Sequence, residues 1–334
     1  MKKILCFVVL YFGKLPANMP FFLKTCTENP EYNWLLFTDD TTEYSYPENV
    51  EVKYCSFAEI QRRVQSCFDF EISLAYPKRL CSFKPAYGYI FDEELKEYEY
   101  WGYCDLDQVF GKIDSFIPPE KIKQYDKLYH LGHCTIFRND KVINSIFKSE
   151  SQRTGLKVTS YEEIFKGLDI VFDEWDDESV TINTLFEDKG LKVYYANDYC
   201  DVDPFASAYT ESIFFTDTRV WGFSDDSKFV FVFKDGRSYK VFFDKKQGQF
   251  KYIEILYAHL QKRKFSVKFN PDSECFIVYN KKMCSFSTEE EQKILKKAFR
   301  AVQLRSFFKV DEIVYFFKTK KELLKTYIYK KIFE

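Results

Sequence analysis

Two aspartates, one residue apart, follow an aromatic stretch in the first third of the chain. Asp105 and Asp107 come directly after residues 100–104, which are typical of a buried strand. Ligands of open α/β sheets bind beyond the carboxyl ends of the strands. Carboxylate oxygens suit Mn²⁺ or Mg²⁺, and such an ion can also bridge a diphosphate. The spacing predicts a divalent-metal site, the alternative being two solvated loop aspartates.

One of only three histidines precedes a basic cluster. His259 follows the apolar residues 252–258, and Lys262 and Arg263 come three and four positions later. An imidazole can serve as a further metal ligand, and Lys262 or Arg263 would neutralise a leaving diphosphate. The alternative is a partly exposed histidine beside a solvated basic surface.

A second histidine-rich stretch has a glycine within it. Gly132 lies between His130 and His133, and the lack of a side chain suits a turn that a ligand approaches closely. Gly132 and His133 are therefore candidate substrate-binding residues. An ordinary hairpin turn is the alternative.

Four acids surround a tryptophan at residues 174–178. Trp175 could stack on a sugar ring, while Asp177 or Glu178 could bind sugar hydroxyls or act as a base. The alternative is a solvated helix start, where acidic side chains match the helix dipole. That helix is predicted over residues 176–186.

The first sixty residues alternate between strand and helix patterns. Apolar runs at residues 4–12, 34–37 and 50–54 predict buried strands, and a helix-like spacing over residues 19–26 separates the first two. A helix is also expected from residue 57. This order predicts an α/β fold with a mostly parallel, Rossmann-like central sheet.

A helix is predicted over residues 86–98, with Pro85 in its first turn. Lys84 precedes it, where a cation and free amides could meet a phosphate. Residues 127–138 are typical of two strands joined by a turn. Further on, Asp235-Gly236 between two apolar runs indicates a hairpin, residues 276–280 a strand, and residue 288 the start of a helical, basic segment. We expect an α/β domain at residues 1–285 and a helical appendage at residues 286–334.

Composition excludes several classes of protein. The net charge is −2, but residues 292–334 contain twelve Lys or Arg against four acids, so the rest of the chain is strongly acidic. Nucleic-acid binding by the whole chain is therefore not expected. The ten cysteines include no C-x-x-C pair, which argues against a zinc ribbon and favours a reducing cytoplasm. No stretch approaches ~20 apolar residues, the length of a membrane span.

These motifs, in this order, resemble a bacterial family of GT-A-fold glycosyltransferases of capsule and lipopolysaccharide biosynthesis, many of which are known only as a domain of unknown function. The chain is also similar, more distantly, to glycogenin-type and lipopolysaccharide galactosyltransferases. The resemblance covers roughly residues 4–265. It rests on Tyr11-Phe-Gly-Lys-Leu-Pro16, Leu36-Phe-Thr-Asp-Asp40, Phe83-Lys-Pro-Ala-Tyr-Gly88, Trp101-Gly-Tyr-Cys-Asp-Leu-Asp107, Gly132-His-Cys-Thr-Ile-Phe-Arg-Asn139 and His259-Leu-Gln-Lys-Arg-Lys264.

The resemblance implies a role for each candidate residue. Asp105, Asp107 and His259 would hold Mn²⁺ or Mg²⁺, and Lys262 or Arg263 would bind the phosphates. The nucleotide would be bordered by Tyr11, Phe12, Gly13, Asp39 and Lys84. Gly132 and His133 would face the donor sugar or the acceptor, and Asp177 or Glu178 would lie across from the anomeric carbon. The more distant relatives carry His-x-x-Gly-x-x-Lys, whereas here the cations follow His259 more closely.

The expected activity is metal-dependent transfer of a sugar from a nucleotide sugar, with uridine as the expected base, to a glycan or lipid-linked glycan. Retention of the anomeric configuration is the expected outcome. Two alternatives remain open: a Mg²⁺-dependent nucleotidyltransferase or phosphohydrolase, and a carbohydrate-binding protein without catalysis. The aromatic, basic residues 307–333 would contact the inner face of the plasma membrane, or else pack on the catalytic domain or on a second subunit.

Overall fold

The computed structural model describes residues 2–151, 153–168, 170–176, 178–202, 211–215, 220–223, 228–261 and 265–307. The chain forms two compact units, residues 1–198 and 199–334. The expected boundary at residue 285 differs from this division. Residue 285 lies within a strand of the second unit, and the helix that follows packs on the sheet containing that strand.

The first unit contains eight strands and nine helices among its described residues. The strands are β1 (Lys3–Tyr11), β2 (Tyr32–Thr38), β3 (Val50–Tyr54), β4 (Tyr98–Cys104), β5 (Gln108–Phe110), β6 (Lys127–Leu131), β7 (Cys134–Arg138) and β8 (Val193–Tyr194). The helices are α1 (Met19–Thr27), α2 (Phe57–Ser66), α3 (Leu80–Phe83), α4 (Tyr87–Ile90), α5 (Asp92–Leu95), α6 (Pro119–Ile122), α7 (Lys141–Asn144), α8 (Tyr161–Phe165) and α9 (Ile182–Asp188). Short 3₁₀ turns occur at Pro77–Arg79, Lys84–Ala86, Ile113–Ser115 and Ile146–Lys148.

Seven of these strands form one mixed sheet in the order β3-β2-β1-β4-β7-β6-β8. The first four strands are mutually parallel, β7 is antiparallel to both of its neighbours, and β8 is parallel to β6. Strand β1 has five consecutive buried residues, as expected where both faces of a sheet are covered. The predicted α/β class is confirmed, with an antiparallel insertion at β7.

Two predicted helices are wrong. Residues 86–98 form short segments instead of one helix, because Pro85 lies inside a 3₁₀ turn and the backbone at Phe91 leaves the helical region. A Cβ on Gly88 would lie 2.3 Å from the Trp101 ring, so the chain passes directly over β4 there. The helix expected over residues 176–186 begins at Ile182, where Thr181 and Thr184 form a capping box. Residues 174–176 and 178 therefore precede the helix.

The second unit consists mainly of strands. They are β9 (Cys200–Val202), β10 (Glu211–Phe215), β11 (Val220–Phe223), β12 (Phe229–Lys234), β13 (Arg237–Asp244), β14 (Gln249–Ile255), β15 (Tyr257–His259), β16 (Ser266–Lys268), β17 (Cys275–Tyr279) and β18 (Lys282–Phe286). They are followed by a 3₁₀ turn (Thr288–Glu290) and α10 (Glu291–Phe307).

A six-stranded sheet, β14-β13-β12-β17-β18-β16, forms the core of this unit. Asp235 and Gly236, with φ of 53° and 69°, make the tight turn of the predicted hairpin β12–β13. Helix α10 packs an apolar stripe at positions 295, 298, 299 and 302 on this sheet. The remaining tail, residues 308–334, lies outside the described residues. None of the described helices is long and apolar enough to cross a membrane.

Candidate functional site

Several candidate residues lie at one edge of the parallel sheet. Strands β1, β2 and β4 run in the same direction, so their carboxyl ends lie at the same edge. Residues 11–13, Asp39 and Asp105 are at these ends. From β1 the chain continues to β2 and β3 on one side and then returns to β4 on the other. Such a reversal of strand order opens a crevice at the carboxyl ends of the two central strands. Asp105 and Asp107 lie directly after one of them.

The loop after β1 is held by two aspartates that follow β2. The backbone N–H of Gly13 donates to Asp39 Oδ1 at 2.6 Å, and that of Leu15 donates to Asp40 Oδ2 at 2.7 Å. Gly13 has a φ of 89°, a left-handed conformation that favours glycine. The carboxylate of Asp39 therefore shapes the loop through Gly13.

The two aromatic residues before Gly13 have different surroundings. Phe12 packs against Phe57 of α2, with ring centroids 5.5 Å apart. Burial raises the pKa of Tyr11, and the charge of Asp107 raises it further. Tyr11 and Asp107 are therefore electrostatic neighbours at this edge of the sheet.

Lys84 is buried and binds Asp105. Its Nζ lies 2.8 Å from Asp105 Oδ1, donates to the Gly132 carbonyl at 2.6 Å, and is 3.8 Å from Asp173 Oδ2. Burial would lower the pKa of Lys84, but the carboxylates, with Asp105 foremost, outweigh it and raise the pKa well above its usual value. The lysine expected at a phosphate thus lies against one of the two predicted metal-binding aspartates.

The β6–β7 turn completes this cluster. The His133 carbonyl accepts from the backbone N–H of Asp105 at 3.0 Å and from Gln108 Nε2 at 2.8 Å. Gly132 N–H donates to Glu174 Oε1 at 3.2 Å. A Cβ on Gly132 would lie 2.4 Å from Asp173 Oδ2. In the structure, acidic side chains of the protein itself approach Gly132 closely, and the predicted approach of a ligand there stays a prediction.

Asp173 is the residue of this cluster that the sequence did not single out. Burial raises its pKa to about 6 although the nearby Lys84 favours the ionised form. The only signal in the sequence is its place beside Glu174 and Trp175. We define the Lys84 cluster as Lys84, Asp105, Gly132, Asp173 and Glu174.

The predicted sugar-binding segment is only partly in the cluster. Trp175 stacks on Tyr195 with centroids 6.4 Å apart, and Asn183 Nδ2 binds the Glu174 carbonyl at 2.9 Å. Glu178 is exposed, and its carboxylate pairs with Lys157 at 2.6 Å. Asp177 lies outside the described residues. Within this segment Glu174 thus belongs to the cluster and Trp175 follows it directly, whereas the Glu178 carboxylate binds Lys157.

In the second unit His259 is paired with a buried aspartate. Strand β15 lies parallel to β9, with His259 opposite Asp201. His259 Nδ1 is 2.8 Å from Asp201 Oδ1, and Gln261 Nε2 donates to the same oxygen at 2.7 Å. Both His259 and Asp201 are buried. Lys262 and Arg263 lie outside the described residues.

The donor types of Asp105, Asp107 and His259 fit a divalent ion. Two carboxylates that end a strand supply hard oxygen ligands, and an imidazole supplies a nitrogen ligand. A histidine whose second ring nitrogen is held by a carboxylate is the usual arrangement at metal sites. The part of the chain that the structure describes therefore contains residues suited to the predicted metal.

The chain matches a known protein family over most of its length. No curated protein matches the chain. Residues 7–287 of the 334 match a family of unknown function, DUF6625. The match includes the seven-stranded sheet, apart from the first residues of β1, and most of the second unit. The chain therefore belongs to the family of unknown function DUF6625.

Proposed function

We propose that this protein is a metal-dependent glycosyltransferase of the GT-A type, which moves a sugar from a nucleotide sugar to a glycan or lipid-linked glycan. The observation that best supports the proposal is the position of Asp105 and Asp107. They follow β4 where the strand order reverses beside β1, the edge at which ligands of such sheets bind. The resemblance of the sequence motifs points to the same activity.

Asp105 and Asp107, with His259 as a further ligand, would hold Mn²⁺ or Mg²⁺. When bound, the ion neutralises negative charge that develops on the leaving nucleoside diphosphate. Lys84 orients the Asp105 carboxylate through its contact at 2.8 Å. Lys262 or Arg263 would bind the phosphates. In this proposal Lys84 acts on Asp105 and does not bind a phosphate. The cations that bind the phosphates are those that follow His259.

The loop after β1 would bind the nucleotide. Asp39 holds Gly13 in its left-handed conformation. Because glycine has no side chain, only backbone atoms occupy this position. Tyr11 offers an aromatic ring and a hydroxyl group near Asp107. These features suit a uridine and its ribose, since aromatic faces stack on bases. Phe12 supports the loop by packing on α2.

The turn at Gly132 and His133, together with Glu174 and Trp175, would line the sugar side of the site. Gly132 allows Asp173 and Glu174 to approach the β6–β7 turn. A buried aspartate with a raised pKa beside a carboxylate-bound lysine is typical of a functional site. Transfer with retention, and a role for Asp177 or Glu178 at the anomeric carbon, remain part of the proposal. Surface polysaccharide synthesis at the cytoplasmic face of the membrane would provide the acceptor.

Donor turnover tests the proposal. The purified chain is incubated with nucleotide sugars and Mn²⁺, and released nucleoside diphosphate is measured, because glycosyltransferases slowly hydrolyse their donors without an acceptor. We expect one donor to be cleaved, and Asp107→Asn to lower the rate at least ~100-fold through loss of electrostatic stabilisation. The matched control Asp92→Asn removes an exposed carboxylate and should leave the rate unchanged. Equal rates in wild type and Asp107→Asn would contradict the proposal.

A second candidate is a Mg²⁺-dependent nucleotidyltransferase or phosphohydrolase. It is favoured by the additional carboxylate of Asp173, only 3.8 Å from the lysine that binds Asp105, because such enzymes gather several acids around their metal ions. The same assay distinguishes it. Cleavage of the nucleotide sugar to a nucleoside monophosphate and a sugar 1-phosphate would support this candidate, whereas nucleoside diphosphate with a free sugar supports the transferase.

A further inference from the structure

Asp201 forms a buried polar arrangement with two residues of the segment that contains His259. It lies opposite His259 in the parallel pair β9–β15. Its Oδ1 atom accepts hydrogen bonds from Gln261 Nε2 at 2.7 Å and lies 2.8 Å from His259 Nδ1. Asp201 is 1% exposed and His259 is 7% exposed. A carboxylate so deeply buried requires such partners.

The hydrogen bonds define the protonation of the imidazole ring. An ionised carboxylate only accepts hydrogen bonds, so Nδ1 must carry the hydrogen in this contact. In the neutral ring Nε2 then has the lone pair, and Nε2 is the nitrogen that can coordinate a metal ion. Asp201 therefore selects one of the two tautomers of His259.

The backbone around His259 is also held in place. Gln261 has a φ of 26°, in the left-handed region that non-glycine residues seldom adopt. Gln261 lies two residues after His259, and its side chain donates a hydrogen bond to Asp201. The Asp201 carboxylate therefore holds both ends of this short segment. Earlier along the same two segments, Tyr199 and Tyr257 stack with centroids 5.2 Å apart and an angle of 7°. The ring of His259 is held by Asp201 of the neighbouring strand.

We propose that Asp201 is the positioning residue for His259: it fixes the Nδ1–H tautomer and the ring orientation so that Nε2 is presented to the divalent ion. The proposal rests on the proposed function, in which His259 is a metal ligand. Carboxylates that hold a ligating histidine raise its basicity, and their loss typically lowers metal affinity by about 10- to 100-fold. No sequence motif pointed to Asp201.

Mn²⁺ binding to the full-length protein, measured from the electron paramagnetic resonance signal of free Mn²⁺, tests the proposal. We expect Asp201→Asn to weaken Mn²⁺ binding by about 10- to 100-fold, and His259→Ala to weaken it at least as much. The matched control is Glu291→Gln. It removes a buried carboxylate of the same unit that binds Lys234 and Tyr252, and it should bind Mn²⁺ as the wild type does.

A second measurement reports the tautomer directly. The chain has three histidines, so selective ¹⁵N-histidine labelling and the His259→Ala spectrum assign the ring nitrogens of His259. We expect Nδ1 to be protonated in the metal-free wild type. This readout decides the proposal even if Asp201→Asn fails to fold.

The outcomes separate the inference from the proposed function. Wild-type affinity in a folded Asp201→Asn variant, or a protonated Nε2 in the wild type, would overturn the role of Asp201 while leaving the metal site intact. Failure of the wild type to bind Mn²⁺ would overturn the metal-dependent function, and the role of Asp201 with it.

Discussion

The ammonium group of Lys84 lies 2.8 Å from the carboxylate of Asp105. Both residues were candidates for nucleotide and metal binding, but their direct contact was not expected from the sequence, in which 21 positions separate them. Lys84 also contacts the Gly132 carbonyl and lies near Asp173. One buried cation thus connects the end of β4, the β6–β7 turn and the acidic segment before α9.

Loss of the Lys84 charge should destabilise the first unit. In Lys84→Met the buried Asp173 would lose its neighbouring cation, and the Asp105 carboxylate would lose its partner. Breaking a buried ion pair from one side typically costs about 3–5 kcal/mol, and because Asp105 is partly exposed we expect about 3 kcal/mol. Urea unfolding measures this change. The control Lys166→Met removes an exposed ion pair with Glu162 and should cost about 0–1 kcal/mol. Similar losses of unfolding free energy in the two variants would contradict the role of Lys84.

An alanine at position 132 should disturb the same cluster. Its Cβ would lie 2.4 Å from Asp173 Oδ2 and 3.0 Å from Glu174 Oε1, so both acids would have to move. Overpacking of this kind costs roughly 1–3 kcal/mol, and displaced acids should also lower donor turnover. At Gly155 a Cβ has open space, but the φ of 89° strains alanine. Gly155→Ala should therefore lose about 1–2 kcal/mol and retain turnover, and retained turnover in Gly132→Ala would contradict the role of this turn.

The buried Lys127 should make stability depend on pH. Burial lowers the pKa of Lys127 to about 7, although its Nζ donates to the Tyr129 carbonyl and to Asn183 Oδ1, both at 2.6 Å. At pH values between the pKa of Lys127 in the folded protein and the normal lysine pKa, Lys127 binds a proton in the unfolded chain but not in the folded one. Stability therefore rises with pH across this window, by about 1.4 kcal/mol per pH unit.

Comparison with Lys127→Met isolates this effect from the other titrating groups. The free energy of unfolding of the wild type minus that of the variant should increase by about 2 kcal/mol from pH 7 to pH 9, because the slope reaches its full value only above the folded pKa. Buried tyrosines and cysteines contribute equally to both proteins and cancel. A difference that is constant over this range would show that Lys127 is charged in the folded protein.

Local patterns were enough to predict the strands of the parallel sheet and the position of Asp105 and Asp107. Buried runs such as β1 and β2 have an unambiguous apolar signature, and carboxylates at a strand end have a defined place in an α/β sheet. The helix expected over residues 86–98 was wrong because the pattern does not reveal the close passage of Gly88 over Trp101. Apolar periodicity describes one segment at a time, and packing against another segment decided the outcome here.

The polar pairs of the candidate site could not be predicted for a related reason. Asp201 and His259 are 58 positions apart, and only the parallel pairing of β9 with β15 brings them together. Lys84 and Asp173 likewise meet through tertiary structure. Short-range spacing identifies the residue types that can bind a metal, whereas the residues that orient them come from distant parts of the chain.

Nucleotide-dependent thermal stabilisation measures whether the protein binds a nucleotide together with a metal ion through Asp105 and Asp107. The full-length protein is heated with nucleoside diphosphates and nucleotide sugars, each with and without Mn²⁺, beside Asp105→Ala, Asp107→Ala and the control Asp92→Asn. A ligand at 100 times its dissociation constant adds about 2.7 kcal/mol to the native state. The account predicts that one nucleotide raises Tm by several degrees only with Mn²⁺, in wild type and Asp92→Asn but in neither alanine variant. Absence of a shift with every nucleotide, or an equal shift in the alanine variants, would contradict it.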